Sequence, residues 1–401
     1  MFLIELKLIE KQVIVLIKIL KKKIKVFFIA QYKAGSDKFE SVVKEMQKDD
    51  IFDVKVLAIP NDINNLRKNE DFDYWNNIFN GITIDAIENN SWFDLKKEKP
   101  DYVFIQRPYD GLVPIEYRKT TLREYTKVCY IPYGFSMVSI FDISMKQEDM
   151  ESIDIIFAEH EEVNEFYKNL INSIDDDKKR ISICLGYPSL DKAKEKADSQ
   201  NSAFKMIDKK TQNNILWTPR WTTDKDAVET SFFDYKDNLI EYAKKRTNIN
   251  LVFRPHPLTF NNFIEKKLMT KKEVQDYLAY YKDNLYYDNS SDYLDTFKDT
   301  DILVSDFSSI LAEFFLFDKP IVYTQKDTYK KLKYLELLEQ AFYKVSNKIE
   351  LFKVLDNLRE GKDPLKEKRN KIKAELFKKY DGKVAFRIKE FIKENFNNKT
   401  N

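Results

Sequence analysis

A chain of 401 residues is long for a single hydrophobic core and suits two domains of ordinary size. Hydrophobic residues make up 43% and charged residues 33%, with 30 Phe and 23 Tyr, which supplies packed interiors and excludes a disordered chain. Lys and Arg number 68 against 66 Asp and Glu, a net +2 that excludes a chain-wide electrostatic nucleic-acid binder, and no nucleic-acid partner is expected.

The basic charge is concentrated at one end. Within the first 35 residues eight lysines face only Glu5 and Glu10, and at 100° per residue Lys7, Lys11, Lys18 and Lys22 fall on one face of a helix. Residues 1–23 are therefore expected to form a basic amphipathic helix. It is too interrupted by charge to span a bilayer, and it lacks the features of a cleaved leader. Two readings stay open: the helix lies on an anionic membrane surface through residues 1–25, or it packs on its own domain.

Beyond it, short β-branched and aromatic runs alternate with helical patterns, the signal of parallel sheets built from βαβ units. Strands are expected at residues 24–30 (IKVFFIA), 52–59 (FDVKVLAI), 101–105 (DYVFI), 128–131 (VCYI) and 153–158 (IDIIFA), with a helix over 38–48. A second series begins near Asn214. Strands NILWTP, NLVFRPHP, NLYYD, DILVSD and PIVYT alternate with helices over 233–245, near Tyr277, and over 293–297 and 309–317. Residues 174–180 and 191–208 are polar and charge-rich, and read as linkers or surface loops, with the domain boundary close to Gly186.

Seven glycines occur, and none are spaced as a dinucleotide fingerprint or a P-loop, so any nucleotide must be held by another device. Two cysteines, Cys129 and Cys184, and two histidines, His160 and His256, leave no zinc-ligand pattern and no disulfide framework. No metal or cofactor is expected, and a reducing cytoplasm suits the composition.

The distinctive residues lie at strand ends, where open α/β sheets bind their ligands. One strand runs directly into Arg254-Pro255-His256-Pro257, two fixed-φ prolines bracketing a guanidinium that matches phosphate oxygens and an imidazole that can donate to a leaving oxygen. A proline-stiffened turn with its Arg in a salt bridge is the plainer alternative. Another strand runs into Ser305-Asp306-Phe307-Ser308-Ser309 and then an apolar helix. Unpaired N–H groups and hydroxyls at that helix start would form an anion site without glycines, or simply a helix cap.

These residues resemble a known family. ILWTPRW (215–221), FRPHP (253–257), DILVSDFSS (301–309) and KPIVY (319–323), with LGYPSLD (185–191) and YDGKVAFRI (380–388), are similar in order and spacing to motifs of the CDP-glycerol glycerophosphotransferase family. The resemblance spans about residues 24 to 390 and is stronger in the second half. It implies two Rossmann-like domains facing across a cleft, the GT-B type, with a C-terminal helix crossing back, and the N-terminal amphipathic helix read from the lysine spacing precedes them. The blocks would be 1–23, an acceptor domain over 24–190, a nucleotide-donor domain over 191–375, and the returning helix over 376–401.

The activity it implies is transfer of a polyol phosphate, glycerol phosphate first, from a CDP-linked donor to a hydroxyl of a glycan or lipid-linked polymer, with release of CMP. The enzyme would work in the cytoplasm or at the inner face of the membrane. Arg254 and His256 would contact the pyrophosphate, and Ser305, Asp306, Ser308 and Ser309 would hold the phosphates from the other side. Thr218, Arg220 and Trp221 would line the same site. Where the family places Trp-His-Gly-Thr with its proposed base, this chain reads Tyr130-Ile131-Pro132-Tyr133-Gly134. Tyr133 and Gly134 are then expected on the acceptor side. Asp110 becomes the substitute base, unless base help is minor or the chemistry differs; His160, amid acidic neighbours, reads as a surface residue or a relocated base. Two other classes remain: a GT-B glycosyltransferase using a CMP-activated or other nucleotide sugar, and an inactive member that binds nucleotide or glycan.

Overall fold

The computed structural model describes residues 23–135, 147–174, 179–199, 213–224, 229–246, 248–290, 293–326 and 336–400. The basic helix expected over residues 1–23 falls almost wholly outside them. The chain divides into two compact units. Of the described residues, the first takes those up to Tyr133, the run from Gln147 to Pro188 and those from Lys383 on; the second takes Gly134, Phe135 and those from Ser189 to Gly382.

In the first unit the strands are β1 (Ile24–Ala30), β2 (Phe52–Ala58), β3 (Thr83–Asp85), the short hairpin pair β4 (Ile87–Glu88) and β5 (Ser91–Trp92), β6 (Tyr102–Ile105), β7 (Lys127–Tyr130), β8 (Ile155–Phe157) and β9 (Ile181–Ile183). Seven of them form one sheet in the order β3-β2-β1-β6-β7-β8-β9, parallel throughout. Near-continuous apolar runs such as IKVFFIA suit strands covered on both faces, which is why they show no alternation. The last helix, Val384–Thr400, packs against the helix Glu40–Gln47. Val384, Ile388 and Ile392 are fully buried there. Its polar side is tied down as well: Tyr102 Oη donates to Asn395 Oδ1 at 2.9 Å, and Lys393 Nζ lies 3.2 Å from Asp49.

The second unit holds β10 (Asn213–Thr218), β11 (Ile249–Phe253), β12 (Leu285–Tyr287), β13 (Ile302–Ser305), β14 (Ile321–Thr324) and β15 (Phe342–Val345) in the order β12-β11-β10-β13-β14-β15, again parallel. The order reverses between β10 and β13, which makes the carboxyl ends of β11, β10 and β13 the switch point of the sheet. An aromatic core supports that edge. Trp217 stacks on Phe232 with ring centres 5.6 Å apart and touches Phe253 at 5.0 Å.

Residues 191–198, expected as linker, belong instead to the helix Pro188–Asp198. Proline opens it, and Leu190 and Ala193, three residues apart, are its buried stripe, too narrow to stand out among the charges. β3, β9 and β15 escape sequence reading because TID, ISI and FYKV interrupt their apolar residues with polar ones and leave no continuous apolar run. Among the described residues no helix is long and apolar enough to cross a membrane, and no three His, Cys, Asp or Glu side chains gather as metal ligands.

Candidate active site

The register pairs Trp217 with Phe253 and Thr218 with Ser305, so the segments that follow β10, β11 and β13 emerge side by side. Arg254 N–H still donates to Trp217 C=O at 2.9 Å, closing the ladder immediately before the Pro255-His256-Pro257 turn. Three sequence motifs therefore converge on one sheet edge.

The guanidinium of Arg254 is firmly held. Its Nη1 lies 2.7 Å from Asp288 Oδ2 and donates to Ser290 Oγ at 3.1 Å, and Nη2 donates to Ser290 C=O at 2.7 Å. Asp288 is buried. Burial alone would raise its pKa, but Arg254, Thr296 and Ser290 outweigh that and hold the carboxyl below the usual Asp range. Sequence reasoning missed Asp288 and Ser290; the available signal was the strand NLYYD ending in a carboxylate.

His256 is exposed as a residue, yet its ring lies against Trp221, centres 5.8 Å apart, with Arg220 nearby. Burial of the ring, then the Arg220 charge, pushes its pKa down to about 4. Leu258 N–H donates to His256 Nδ1 at 3.2 Å, which leaves the proton of the neutral ring on Nε2. Trp221 is fixed in turn by Asn262, whose side-chain nitrogen donates to its carbonyl at 2.7 Å.

The third segment sorts into buried and open residues. Thr218 Oγ1 donates to Ser305 Oγ at 2.9 Å, and the single Ser305 hydroxyl proton is shared between the carbonyls of Thr218 and Asp306, both 3.0 Å from Oγ. Asp306 is fully buried. Its Oδ1 accepts from Arg220 N–H at 2.7 Å, and its Oδ2 from Ser231 N–H at 2.8 Å and Ser231 Oγ at 3.0 Å. Burial pushes its carboxyl up to about 6 against these donors. The oxygens of Ser305 and Asp306 are thus used inside the unit, whereas Ser309 is exposed and Ser308 half-buried at the start of the six-residue helix Ile310–Phe315. Arg220 Nε donates to Thr222 Oγ1 at 2.6 Å, and its guanidinium lies over the Phe307 ring at 5.0 Å.

In the first unit Asp110 follows β6 and accepts from Lys119 N–H at 2.9 Å and Thr120 Oγ1 at 3.3 Å, with the buried Lys119 Nζ 3.3 Å away. Asp110 and Lys119, with Gln31, Gln106 and Arg107, line a cavity of about 20 Å³, room for one water. Tyr133, after β7, shares a 3.2 Å hydroxyl contact with Tyr109, and a Cβ added at Gly134 would meet open space. His160 is half-buried before the helix Glu161–Asn172, at the end of β8.

A family model described as CDP-Glycerol:Poly(glycerophosphate) glycerophosphotransferase matches residues 137–394. The chain belongs to this family. The match takes in every strand-end motif of the second unit, and begins later than the resemblance traced from about residue 24. The minor teichoic acid biosynthesis protein GgaB of Bacillus subtilis (strain 168) is 24% identical over 298 residues, which are 64% of this family member but 31% of GgaB. The chain therefore spans less than a third of that relative. In structure it is similar to the wall teichoic acid polymerase TagF, at a TM-score of 0.63 and 16% identity over 95% of this chain and 91% of the other. It is also similar to the UDP-GlcNAc 2-epimerase from Neisseria meningitidis bound to UDP-GlcNAc, at 0.61 and 17% over 92% and 100%. These likenesses establish the α/β fold of the GT-B kind.

Proposed function

We propose that this protein transfers a polyol phosphate, glycerol phosphate in the first instance, from a CDP-linked donor to a hydroxyl of a teichoic-acid-like or lipid-linked polymer. The observation that carries this reading is the family match over residues 137–394, which contains the converging ends of β10, β11 and β13 with Arg254, His256, Ser308 and Ser309. In the reaction the acceptor oxygen bonds to the phosphorus that bears the polyol. The bond from that phosphorus to the bridging oxygen breaks, and this oxygen leaves with the electron pair as CMP. A loose phosphoryl-transfer transition state asks mainly for donors aimed at oxygens that gain charge.

Arg254 then grips the diphosphate, and the neutral His256 donates from Nε2 to the departing bridging oxygen. Ser308 and Ser309 meet phosphate oxygens with their hydroxyls. Thr218, Ser305 and Asp306 shape the edge from within, and Arg220 and Trp221 position the imidazole. Asp110, whose oxygens already accept from Lys119 and Thr120, holds its own loop in this reading, and the acceptor proton leaves to solvent.

The test is CMP release by purified protein given CDP-glycerol, CDP-ribitol or CMP-sialic acid with a polymeric polyol-phosphate acceptor. Acceptor-dependent release from CDP-glycerol is expected, and His256→Ala should lower kcat/KM by about a hundredfold. Release from the CMP-sugar alone would reject the polyol reading. Undiminished turnover by His256→Ala would reject the site.

A further inference from the structure

We propose that Asp288 is a positioning residue: its buried carboxylate, with Ser290, locks the guanidinium of Arg254 so that one bidentate edge stays open for the donor diphosphate. The inference rests on the reading of Arg254 as the phosphate-binding group. Asp288, 3% exposed, sits at the carboxyl end of β12, next to β11, from which Arg254 leaves. Its oxygens are fully subscribed. Oδ2 faces Arg254 Nη1 at 2.7 Å and accepts from Thr296 Oγ1 at 2.5 Å, while Oδ1 accepts from Ser290 N–H at 2.9 Å and Ser290 Oγ at 2.7 Å.

The consequence for Arg254 follows from counting donors. A guanidinium has five N–H groups in a fixed fork. Ser290 Oγ takes one on Nη1, the Asp288 carboxylate is ion-paired with that same nitrogen at 2.7 Å, and Ser290 C=O takes one on Nη2. Among the described residues Nε–H and one Nη2–H take no hydrogen bond, and Nε with Nη2 forms the side of the planar group that matches two oxygens of a phosphate. Were Asp288 neutral, the guanidinium could rotate about its long stem, and every bound phosphate would have to order it anew. The carboxylate thus settles beforehand which edge the donor meets.

The experiment is a double-mutant cycle of Asp288→Asn and Arg254→Ala, with calorimetric affinity for CDP-glycerol and kcat/KM as readouts. In the Arg254 background Asp288→Asn should weaken donor affinity about tenfold, and in the Arg254→Ala background change it less than about twofold. Ser290→Ala, a substitution at an exposed position that removes one bridging hydroxyl, should shift affinity in the same direction by about threefold, and again only while Arg254 is present. Equal losses in both backgrounds, from either variant, would make Asp288 a merely structural carboxylate and overturn the inference. If the unsubstituted protein neither bound nor consumed CDP-glycerol, the functional reading itself would fail, and this inference with it.

Discussion

His256 is neutral under ordinary conditions, and that limits what it can do. With its Nδ1 occupied by Leu258 N–H, it can donate from Nε2 but carries no positive charge to a phosphate. The native ring takes up its proton at about 4, against 6.5 in its ordinary state, so the unfolded chain is the better proton binder between those values. The stability contribution linked to this ring is therefore intact above 6.5 and lost as pH falls through 4. The chain has two histidines, so NMR titration with His256→Ala as the assignment control can isolate this imidazole. A midpoint near 4 is expected, and unfolding free energy should fall less in His256→Ala than in the native chain as pH is lowered across the same interval. A midpoint between about 6 and 7 would mean that packing against Trp221 and Arg220 does not govern the ring.

Among the elements, Asp306 acts as the tie between three of them: the end of β13, the turn after β10 through Arg220 N–H, and the start of the helix Phe232–Lys244 through Ser231. Ser231 Oγ passes the connection on to Thr324 at the end of β14, at 2.8 Å. An amide in place of the carboxylate would set an NH2 against one set of these donors, at a cost of about 2 kcal/mol at neutral pH. Because the native carboxyl titrates at about 6, above its ordinary 3.8, its protonation favours the fold; that contribution is present at low pH and lost as pH rises through 6. Urea unfolding should thus show the penalty of Asp306→Asn widening as pH is lowered through 6. A penalty independent of pH would remove the titration, and no penalty would remove the tie. The motif was legible in sequence because an apolar run ending in Ser-Asp-Phe-Ser-Ser is local. Its division into buried Ser305 and Asp306 and open Ser308 and Ser309 was not, since burial is decided by the neighbouring strands. Asp288 was hidden for the same reason: its importance depends on β12 lying beside β11, which no spacing along the chain reveals.

For the whole molecule, the repeated strand-helix grammar made two parallel-sheet units readable, because strands covered on both faces leave continuous apolar runs. The return of the last helix to the first unit was visible only through the resemblance of residues 380–388, since an amphipathic segment does not name the surface that will cover it. The structure supplies that surface: Ile388 and Ile392 are fully buried, and Lys389 Nζ lies 3.5 Å from Glu45 on the helix Glu40–Gln47. Truncating either isoleucine to alanine in such a site costs about 2–5 kcal/mol. The charge contacts, partly exposed, contribute far less. Ile388→Ala and Ile392→Ala should accordingly accelerate hydrogen exchange in the helix Glu40–Gln47 and in β1 and β6, while exchange in β10, β11 and β13 stays as in the native chain. Acceleration confined to the second set of strands would assign the terminal helix to the wrong unit. Equal acceleration in both sets would mean that the two units unfold as one cooperative body, in which case substitutions in the terminal helix should lower donor affinity by lowering the folded fraction rather than by any contact with the site.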